Sequence, residues 1–269
     1  MRTAKKSIDE MLLIKKFQVD SNILVQGDYS KTLSHVKNVR LILTSPPYNI
    51  GSSGMRMDGM RRLGKYDSKS FAGINTYKDN LPEEIYQKQQ QDFIRWALKR
   101  LKPNGVIAYV HKNRHKNRNL ITPYQWLLPL VEERVLTIYE EIVWDRGSTH
   151  NHDKGYLYPE TERIFVLCRF GAKPYFKNYD PDGRLKGMSD VWRIGRPSNS
   201  SHDAAFPLEL AKRIVTCYSK PRELVMDPYS GSGTSFIAAR MLKRRFIGSE
   251  LSKKHFRNAC RRIESSFDS

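Results

Sequence analysis

The chain has 269 residues, with 47 Lys and Arg against 28 Asp and Glu, and a formal net charge of +19 at pH 7. This length, together with a hydrophobic content of 39%, allows one α/β domain with a buried core and excludes a chain that is disordered throughout. The excess of positive charge is far larger than solubility requires, so it favours a polyanionic partner, first of all nucleic acid. Charge alone leaves open an anionic membrane surface or a merely solvated basic surface.

The cysteines and the N-terminal residues restrict the cellular setting. Three widely separated cysteines without CxxC spacing predict neither a disulfide framework nor a zinc site. The first residues lack the apolar run of a secretory signal, and no stretch approaches the length of a membrane span. We therefore expect a cytoplasmic protein with no metal and no membrane association. The cysteines are Cys168, Cys217 and Cys260.

The first half of the chain predicts a short N-terminal helix and then alternating strands and helices. The helix is expected over residues 7–15, because a capping box precedes apolar residues at helical spacing. Two strands follow, NILVQ before Gly27-Asp28, and RLILT before a proline-rich turn. Residues 49–80 lack periodicity and predict a mobile surface loop. A helix over 82–101 and the strand GVIAYV come next.

The second half continues this alternation. The basic segment over 111–120 is predicted to be a loop, followed by a helix with Pro123 near its start. Two strands, an irregular stretch over 171–201 and then a helix, a strand, a glycine-rich turn, a helix, a strand and a last helix complete the chain. Alternating strands and helices predict an α/β fold with a largely parallel, doubly wound sheet.

A strand, an acidic residue, a glycine-rich turn and a helix follow one another in ELVMDPYSGSGTSFIAAR, an order typical of nucleotide sites. Gly231 and Gly233 would let the backbone turn sharply and approach a ligand, while Asp227 can accept hydrogen bonds from it. The spacing is neither GxGxxG nor GxxxxGK[ST], which disfavours dinucleotide and P-loop sites. Glu250 ends the next strand, where an acidic residue can hold ribose hydroxyls. Each residue alone also fits a structural role, so the prediction depends on their combination.

The second constellation is TSPPY, which follows the strand over 41–43 directly. The double proline fixes the backbone beside a hydroxyl acceptor and an aromatic ring. The Ser45 hydroxyl and the Pro46 carbonyl can together accept the two N–H bonds of an exocyclic amine. Tyr48 can stack on a planar base, a contact worth about 1–3 kcal/mol. Without the glycine-rich segment, an ordinary Pro-Pro turn would explain these residues equally well.

These two segments resemble the motifs of the DNA amino-methyltransferases. Residues 45–48 match the catalytic pattern (Ser/Asp/Asn)-Pro-Pro-(Tyr/Phe). Residues 227–234 match the cofactor pattern Asp-Pro-Phe-x-Gly-Ser-Gly-Thr, with Tyr229 in place of Phe. The catalytic motif comes first, as in the permuted β group, and the resemblance extends over about residues 22–262. It implies one methyltransferase domain over 1–269, with a Rossmann-like fold and a circularly permuted motif order.

The resemblance also implies a cofactor and a set of site residues. The cofactor would be S-adenosylmethionine, with S-adenosylhomocysteine as its product, and direct in-line transfer needs no metal. Asp28 fits a helix N-cap as well as an adenine contact, and His202 also fits an ordinary loop histidine. The implied catalytic residues are Ser45, Pro46, Pro47 and Tyr48. The implied cofactor-binding residues are Asp28, His202, Pro207, Asp227, Tyr229, Ser230, Gly231, Gly233, Thr234 and Glu250.

The first catalytic residue bears on the substrate. In this family Ser usually accompanies cytosine N4, and Asp or Asn usually adenine N6, so Ser45 implies transfer to cytosine N4 in duplex DNA after base flipping. A role in a restriction-modification system is expected. No cysteine follows a proline, the arrangement of cytosine C5 enzymes. Adenine N6 methylation, RNA methylation and a catalytically silent DNA-binding module remain alternatives. A homodimer and a cognate restriction endonuclease are further candidate partners.

Contacts with DNA are expected from short loops, because the chain lacks a large separate recognition insert. The predicted recognition loops span residues 111–120, 145–160 and 169–200. The segment HKNRHKNRN is the best candidate for phosphate contact, although a solvated loop would have the same composition. Its cationic residues are Lys112, Arg114, Lys116 and Arg118.

Overall fold

The computed structural model describes residues 15–50, 80–147, 157, 160–174, 188–195 and 206–267. The predicted N-terminal helix and nearly all of the predicted loop over 49–80 lie outside these residues. So does more than half of each recognition loop predicted at 145–160 and 169–200.

The described residues form eleven strands and six helices. In chain order they are β1 (Lys16–Val19), β2 (Asn22–Gln26), α1 (Tyr29–Thr32), β3 (Val39–Thr44), α2 (Glu83–Leu98), β4 (Leu101–His111), β5 (Arg114–Lys116), β6 (Asn119–Ile121), α3 (Tyr124–Glu132), β7 (Leu136–Asp145), β8 (Thr161–Arg169), β9 (Val191–Arg193), α4 (Leu208–Tyr218), β10 (Leu224–Asp227), α5 (Thr234–Met241), β11 (Arg245–Glu250) and α6 (Lys253–Ser265).

Nine of these strands form one mixed sheet in the order β1-β2-β11-β10-β3-β4-β8-β7-β9. The five neighbouring strands from β2 to β4 are parallel, while β1 and β8 run antiparallel to their neighbours. Helices cover both faces, as the two hydrophobic cores described next show. The prediction of a doubly wound, mostly parallel α/β sheet is therefore confirmed.

The central strands bury both faces, and for this reason they are almost continuously apolar in the sequence. In β3, Leu41 and Leu43 pack into a core with α4, α5 and α6. Ile42 points to the opposite face and packs with α2 and α3. Within the described part of the chain, no helix combines the length and the apolar character needed to cross a bilayer.

Two segments differ from the structure predicted for them. The basic segment over 111–120 is not an open loop, since β5 and β6 pair as an antiparallel hairpin. Asn117 and Arg118 form its tip with left-handed backbone angles, φ 50° and 64°, as a two-residue hairpin turn requires. The stretch predicted as irregular over 171–201 contains β9, which pairs in parallel with β7. Strands of three residues are too short to give a readable alternation.

The crevice that positions the candidate site lies between β3 and β10. These strands are parallel neighbours, with Leu41 beside Val225 and Ile42 beside Met226. The chain continues from β3 through α2 to β4 on one side, and from β10 through α5 to β11 on the other. Ligands of doubly wound sheets bind at the carboxyl ends of strands at such a switch point. The two motifs, about 180 positions apart in the sequence, follow these two strand ends.

Candidate active site

The carboxyl end of β10 is fixed by Asp227, whose side chain organises the glycine-rich turn. One carboxylate oxygen accepts the backbone N–H of Tyr229 at 3.0 Å, and the other accepts the Ser235 hydroxyl at 2.6 Å. The group is fully buried, and burial raises its pKa to about 6. Asp227 therefore ties the strand end to both the turn and the first residues of α5.

Glu250 places a second buried carboxyl at the end of β11, next to β10. Its Oε2 accepts the N–H of Gly231 at 2.9 Å, and its Oε1 accepts the N–H of Ser252 at 2.7 Å. Burial raises its pKa to about 7, and the nearby charge of Asp227 acts in the same direction. A carboxylate oxygen can accept more than one hydrogen bond, so Glu250 can still take hydroxyl donors from a ligand.

The two glycines of the turn have different surroundings, although both have left-handed backbone angles. A Cβ atom on Gly231 (φ 51°) would meet nothing closer than the Tyr229 carbonyl at 3.8 Å, so this residue borders open space. A Cβ on Gly233 (φ 79°) would lie 3.0 Å from Ile263 of α6. Gly231 fits the predicted close approach to a ligand, and a ligand contact from the backbone of Gly233 stays a prediction. Gly233 is needed for helix packing.

The hydroxyls of Ser230 and Thr234 are engaged inside the protein. Ser230 donates to the Asp227 carbonyl at 2.9 Å and occupies the space that a side chain at Gly248 would need. Thr234 accepts a hydrogen bond from Arg262 of α6 at 2.8 Å. Both side chains thus shape the turn, and a ligand contact from Ser230 or Thr234 stays a prediction. No sequence motif pointed to Arg262.

Two other predicted cofactor residues have structural contacts. Asp28 caps α1, accepting the Ser30 N–H at 2.7 Å, which is the alternative that its sequence context allowed. The ring of Tyr229 packs against Tyr29 and Phe93, with centroid distances of 5.1 and 5.2 Å. A ligand contact from Asp28 or Tyr229 stays a prediction.

The last two predicted cofactor residues precede α4. Pro207 is buried at the N-cap of this helix, and its carbonyl accepts the Ala211 N–H at 3.2 Å. His202 lies outside the described residues.

The predicted catalytic segment, residues 45–48, begins where β3 ends, and the residue that follows it is tied to Leu81, two positions before α2. The side-chain amide of Asn49 donates to the Leu81 carbonyl at 3.0 Å and accepts the Leu81 N–H at 2.6 Å. These two bonds hold together the chain positions on either side of residues 51–79. The segment over 45–48 is thereby fixed at both ends.

The carbonyl of Pro47 is held by a row of buried side chains. The Tyr86 hydroxyl donates to it at 2.8 Å, and Nε2 of His111 lies 2.6 Å from the same hydroxyl. Burial lowers the pKa of His111 to about 3, so its imidazole is neutral. Because the single hydroxyl proton of Tyr86 goes to the Pro47 carbonyl, we assign the ring proton of His111 to Nε2, which donates to Tyr86. Nδ1 of the same ring accepts the Lys112 N–H at 2.9 Å.

Tyr48 is bound at its hydroxyl and packed along its ring. The hydroxyl lies 2.8 Å from the Ser45 Oγ and donates to Oε2 of Glu162 at 2.9 Å. Arg146, itself buried, donates to the other oxygen of Glu162 at 2.8 Å. The Tyr48 ring lies 4.5 Å from the ring of His111. Burial raises the pKa of Tyr48 well above its ordinary value, so the phenol is protonated.

The four cations predicted to contact phosphate have two different roles. Arg114 is buried and donates twice to the carboxylate of Glu83, at 2.9 and 2.6 Å. Lys116 lies 3.7 Å from the same carboxylate. These two residues attach the hairpin to α2, so including Arg114 in the phosphate-contact set was wrong. Lys112, whose Nζ lies 5.6 Å from the centre of the Tyr48 ring, and the exposed Arg118 remain candidates for phosphate contact.

No cluster of His, Cys, Asp and Glu in the described part of the chain is arranged to hold a metal ion.

Solved structures share the architecture of this protein. PvuII DNA methyltransferase (cytosine-N4-specific) superposes with a TM-score of 0.71 at 16% identity, covering 93% of each chain. A putative DNA modification methylase from Thermus thermophilus, complexed with S-adenosyl-L-methionine, gives 0.64 at 21% identity, covering 91% of this chain and 93% of that one. These superpositions show that this chain has the same fold as those DNA methyltransferases.

Sequence relatives define the family. The type II methyltransferase M2.DpnII of Streptococcus pneumoniae is 28% identical over 255 residues, covering 90% of each chain. The DNA adenine methyltransferase YhdJ of Escherichia coli is 24% identical over 283 residues, covering 93% of this chain and 85% of the relative. The sequence profile of the DNA methylases matches residues 39–261. The chain belongs to the DNA methylase family, with the motif order of the β-group amino-methyltransferases.

Proposed function

We propose that this protein transfers a methyl group from S-adenosylmethionine to the N4 amino group of cytosine in duplex DNA. The observation that carries the choice of cytosine is a serine, Ser45, at the first catalytic position, with its hydroxyl 2.8 Å from the Tyr48 hydroxyl. Type II methyltransferases among the relatives support a role in a restriction-modification system with a cognate endonuclease.

The glycine-rich turn fits the proposed cofactor. Gly231 borders open space, which leaves room for a ligand against the backbone, and the buried Glu250 carboxylate can accept ribose hydroxyls. When bound, S-adenosylmethionine supplies an electrophilic methyl group on a sulfonium. Asp227 keeps the turn in the shape that accepts this ligand, through its bonds to Tyr229 and Ser235.

The catalytic segment acts on the base. Ser45 and the carbonyl of Pro46 accept the two amine hydrogens, which withdraws the nitrogen lone pair from ring conjugation and directs it towards the methyl carbon. In the transfer the N–C bond would form as the C–S bond breaks, and the extra proton of the methylated amine would pass to solvent. Tyr48 holds the ring of the base, which must be flipped out because the crevice cannot admit a paired base.

The relatives include proteins named for either base. PvuII methyltransferase is described as cytosine-N4-specific and YhdJ as an adenine methyltransferase, so the family alone leaves both amines open. Ser45 supports cytosine because the corresponding position usually carries Asp or Asn in adenine enzymes of the family that the motifs resemble. The nature of the product is therefore the decisive measurement.

The experiment uses genomic DNA from a host without DNA methyltransferases, incubated with the protein and methyl-labelled S-adenosylmethionine and digested to nucleosides. Labelled N4-methylcytosine is the expected product. Ser45→Ala should lower the rate of product formation roughly 10- to 100-fold with little change in cofactor affinity, because the lost hydrogen bond is made to the substrate amine. N6-methyladenine as the sole product would transfer the proposal to adenine, and 5-methylcytosine would refute the amine mechanism.

A further inference from the structure

Three side chains connect the catalytic serine to a buried ion pair. The Ser45 Oγ lies 2.8 Å from the Tyr48 hydroxyl, which lies 2.9 Å from Oε2 of Glu162. Oε1 of Glu162 accepts a hydrogen bond from Arg146 at 2.8 Å. Glu162 and Arg146 are both more than nine-tenths buried. None of the sequence motifs includes either residue of this ion pair.

The protons in this row have a defined direction. A carboxylate can only accept, so the hydrogen bond at Oε2 of Glu162 uses the single proton of the Tyr48 hydroxyl. The Tyr48 oxygen must then accept in its contact with Ser45, and the Ser45 hydroxyl donates its own proton to it. Within the described residues no donor occupies the lone pairs of the Ser45 hydroxyl, so both can accept hydrogens from another molecule.

We propose that Glu162 is a positioning residue that acts through Tyr48 to present Ser45 as a hydrogen-bond acceptor for the substrate amine. The inference rests on the proposed transfer to an amine, and it holds for cytosine or adenine. Hydrogen bonds that end on a charged group are about twice as strong as neutral ones, so the row transmits part of the negative charge of Glu162 to the serine. Ser45 and Glu162 together then do what an aspartate at position 45 would do alone.

The topology explains how Glu162 reaches the site. It lies near the beginning of β8, and β8 runs antiparallel to β4 with His111 beside Arg163. The amino end of β8 therefore lies at the same sheet edge as the carboxyl ends of the parallel strands. Glu162 enters the crevice from a strand that runs in the opposite direction to all those carrying the motifs.

A second row of the same chemistry provides a matched control. The Tyr124 hydroxyl donates to Oε2 of Glu141 at 2.8 Å, and Arg163 lies 3.2 Å from Oε1 of Glu141. Glu141 belongs to β7, and Tyr124 packs against the core that contains α2 and α3. In β8, Ile164 and Val166, which point to the same side as Glu162, belong to the core on the other face of the sheet. Glu141→Gln alters a tyrosine–glutamate–arginine row without touching the catalytic segment.

The main test is Glu162→Gln, which should reverse the row. Arg146 keeps the amide oxygen facing it, so the amide NH₂ faces Tyr48 and donates to its oxygen. Tyr48 must then donate to Ser45, and the Ser45 hydroxyl hydrogen turns towards the substrate amine, where an acceptor is needed. We expect the single-turnover methylation rate on unmethylated genomic DNA to fall roughly 10- to 100-fold, the value of a charged hydrogen bond. The affinity for S-adenosylmethionine, measured by calorimetry, should be unchanged, and Glu141→Gln should methylate at the wild-type rate.

Double variants separate positioning from a merely structural role. In a Tyr48→Phe background the link is absent, so adding Glu162→Gln should lower the rate no further. Ser45→Asp places two carboxylates around the single proton of Tyr48, and there Glu162→Gln should raise the rate. If Glu162→Gln does not fold, Tyr48→Phe tests the same connection between Glu162 and Ser45. The methylation rate should then fall markedly less on adding Ser45→Ala to Tyr48→Phe than on adding it to the wild type.

The outcomes distinguish this inference from the proposed function. A wild-type protein that methylates DNA together with a fully active Glu162→Gln variant would overturn the inference and leave the function standing. Additive losses in the Tyr48→Phe background, or a further loss when Glu162→Gln is added to Ser45→Asp, would overturn it equally. A wild-type protein that transfers no methyl group to any amine would remove the function and the inference with it.

Discussion

Lowering the pH from 8 to 6 should weaken binding of S-adenosylmethionine about tenfold, because Glu250 must be ionised to accept the ribose hydroxyls. Burial raises the pKa of this carboxyl to about 7 in the free protein. Donors on the cofactor favour the carboxylate and lower the pKa in the complex. Binding therefore releases a proton below pH 7, and the affinity rises with pH until the free carboxyl is ionised, after which it is level.

The magnitude follows from the size of the shift. If the cofactor returns the pKa of Glu250 to its ordinary value of 4.5, the group is protonated in about nine of ten free molecules at pH 6 and ionised in the complex. The affinity at pH 6 is then about tenfold lower than at pH 8, which corresponds to about 1.4 kcal/mol of binding free energy. Asp227, with a pKa of about 6, is half protonated in the free protein at pH 6, so its titration can change the affinity at that pH by about twofold at most.

Isothermal titration calorimetry at pH 6, 7 and 8, in buffers of different ionisation enthalpy, measures both the affinity and the protons released. Glu250→Gln should bind more weakly and lose this pH dependence. Titration of the cofactor's own groups is common to both proteins and cancels in the comparison. Glu209→Gln, an exposed position on α4, serves as the control. Equal affinities of the wild type at pH 6 and 8, with no proton release, would refute the assignment of Glu250 to the ribose.

Two further predictions concern the turn and the DNA. Gly231→Val should abolish cofactor binding, with the fold retained and a lower melting temperature from its left-handed backbone alone. Gly233→Val should lower the melting temperature further, because its side chain also meets α6. Calorimetry and thermal unfolding measure the two effects, and the reverse order of melting temperatures would contradict the assignment. Neutralising Lys112 and Arg118 should reduce by about two the slope of the logarithm of the DNA-binding constant against the logarithm of salt concentration, measured between 50 and 200 mM salt. Neutralising Arg114 should instead reduce stability, because its partner Glu83 loses its ion pair. An unchanged slope in the first variant would place the phosphate contacts elsewhere.

Much of the fold was predictable because the central strands obey simple rules. A parallel strand buried on both faces is a short apolar run, and RLIL and ELVM are such runs, each followed by a turn with its own chemistry. The strand ends thus coincide with the motifs, and the rule for doubly wound sheets brings Ser45 and Asp227 to one crevice. The structure places them on neighbouring strands.

The rest of the site depends on long-range pairing that a single sequence does not encode locally. Glu162 lies at the crevice only because β8 runs antiparallel beside β4, and an acidic residue near the beginning of a strand has no distinguishing pattern. Arg114 had the composition of a phosphate contact, and its partner Glu83 is 31 positions away on α2. A charged run reveals its net charge but not which of its members are neutralised in the folded protein.

The contacts of α6 with the glycine-rich turn connect two parts of the molecule that would otherwise be described separately. A single guanidinium nitrogen of Arg262 lies 3.1, 2.9 and 2.8 Å from the Ser232 carbonyl, the Ser232 hydroxyl and the Thr234 hydroxyl, which share its two hydrogens. Ile263 fills the space behind Gly233. Because these contacts hold the turn against the helix, we expect the two to unfold together. Any ligand held by the turn therefore adds its binding free energy to the docking of the helix, by mass action, without touching the helix itself.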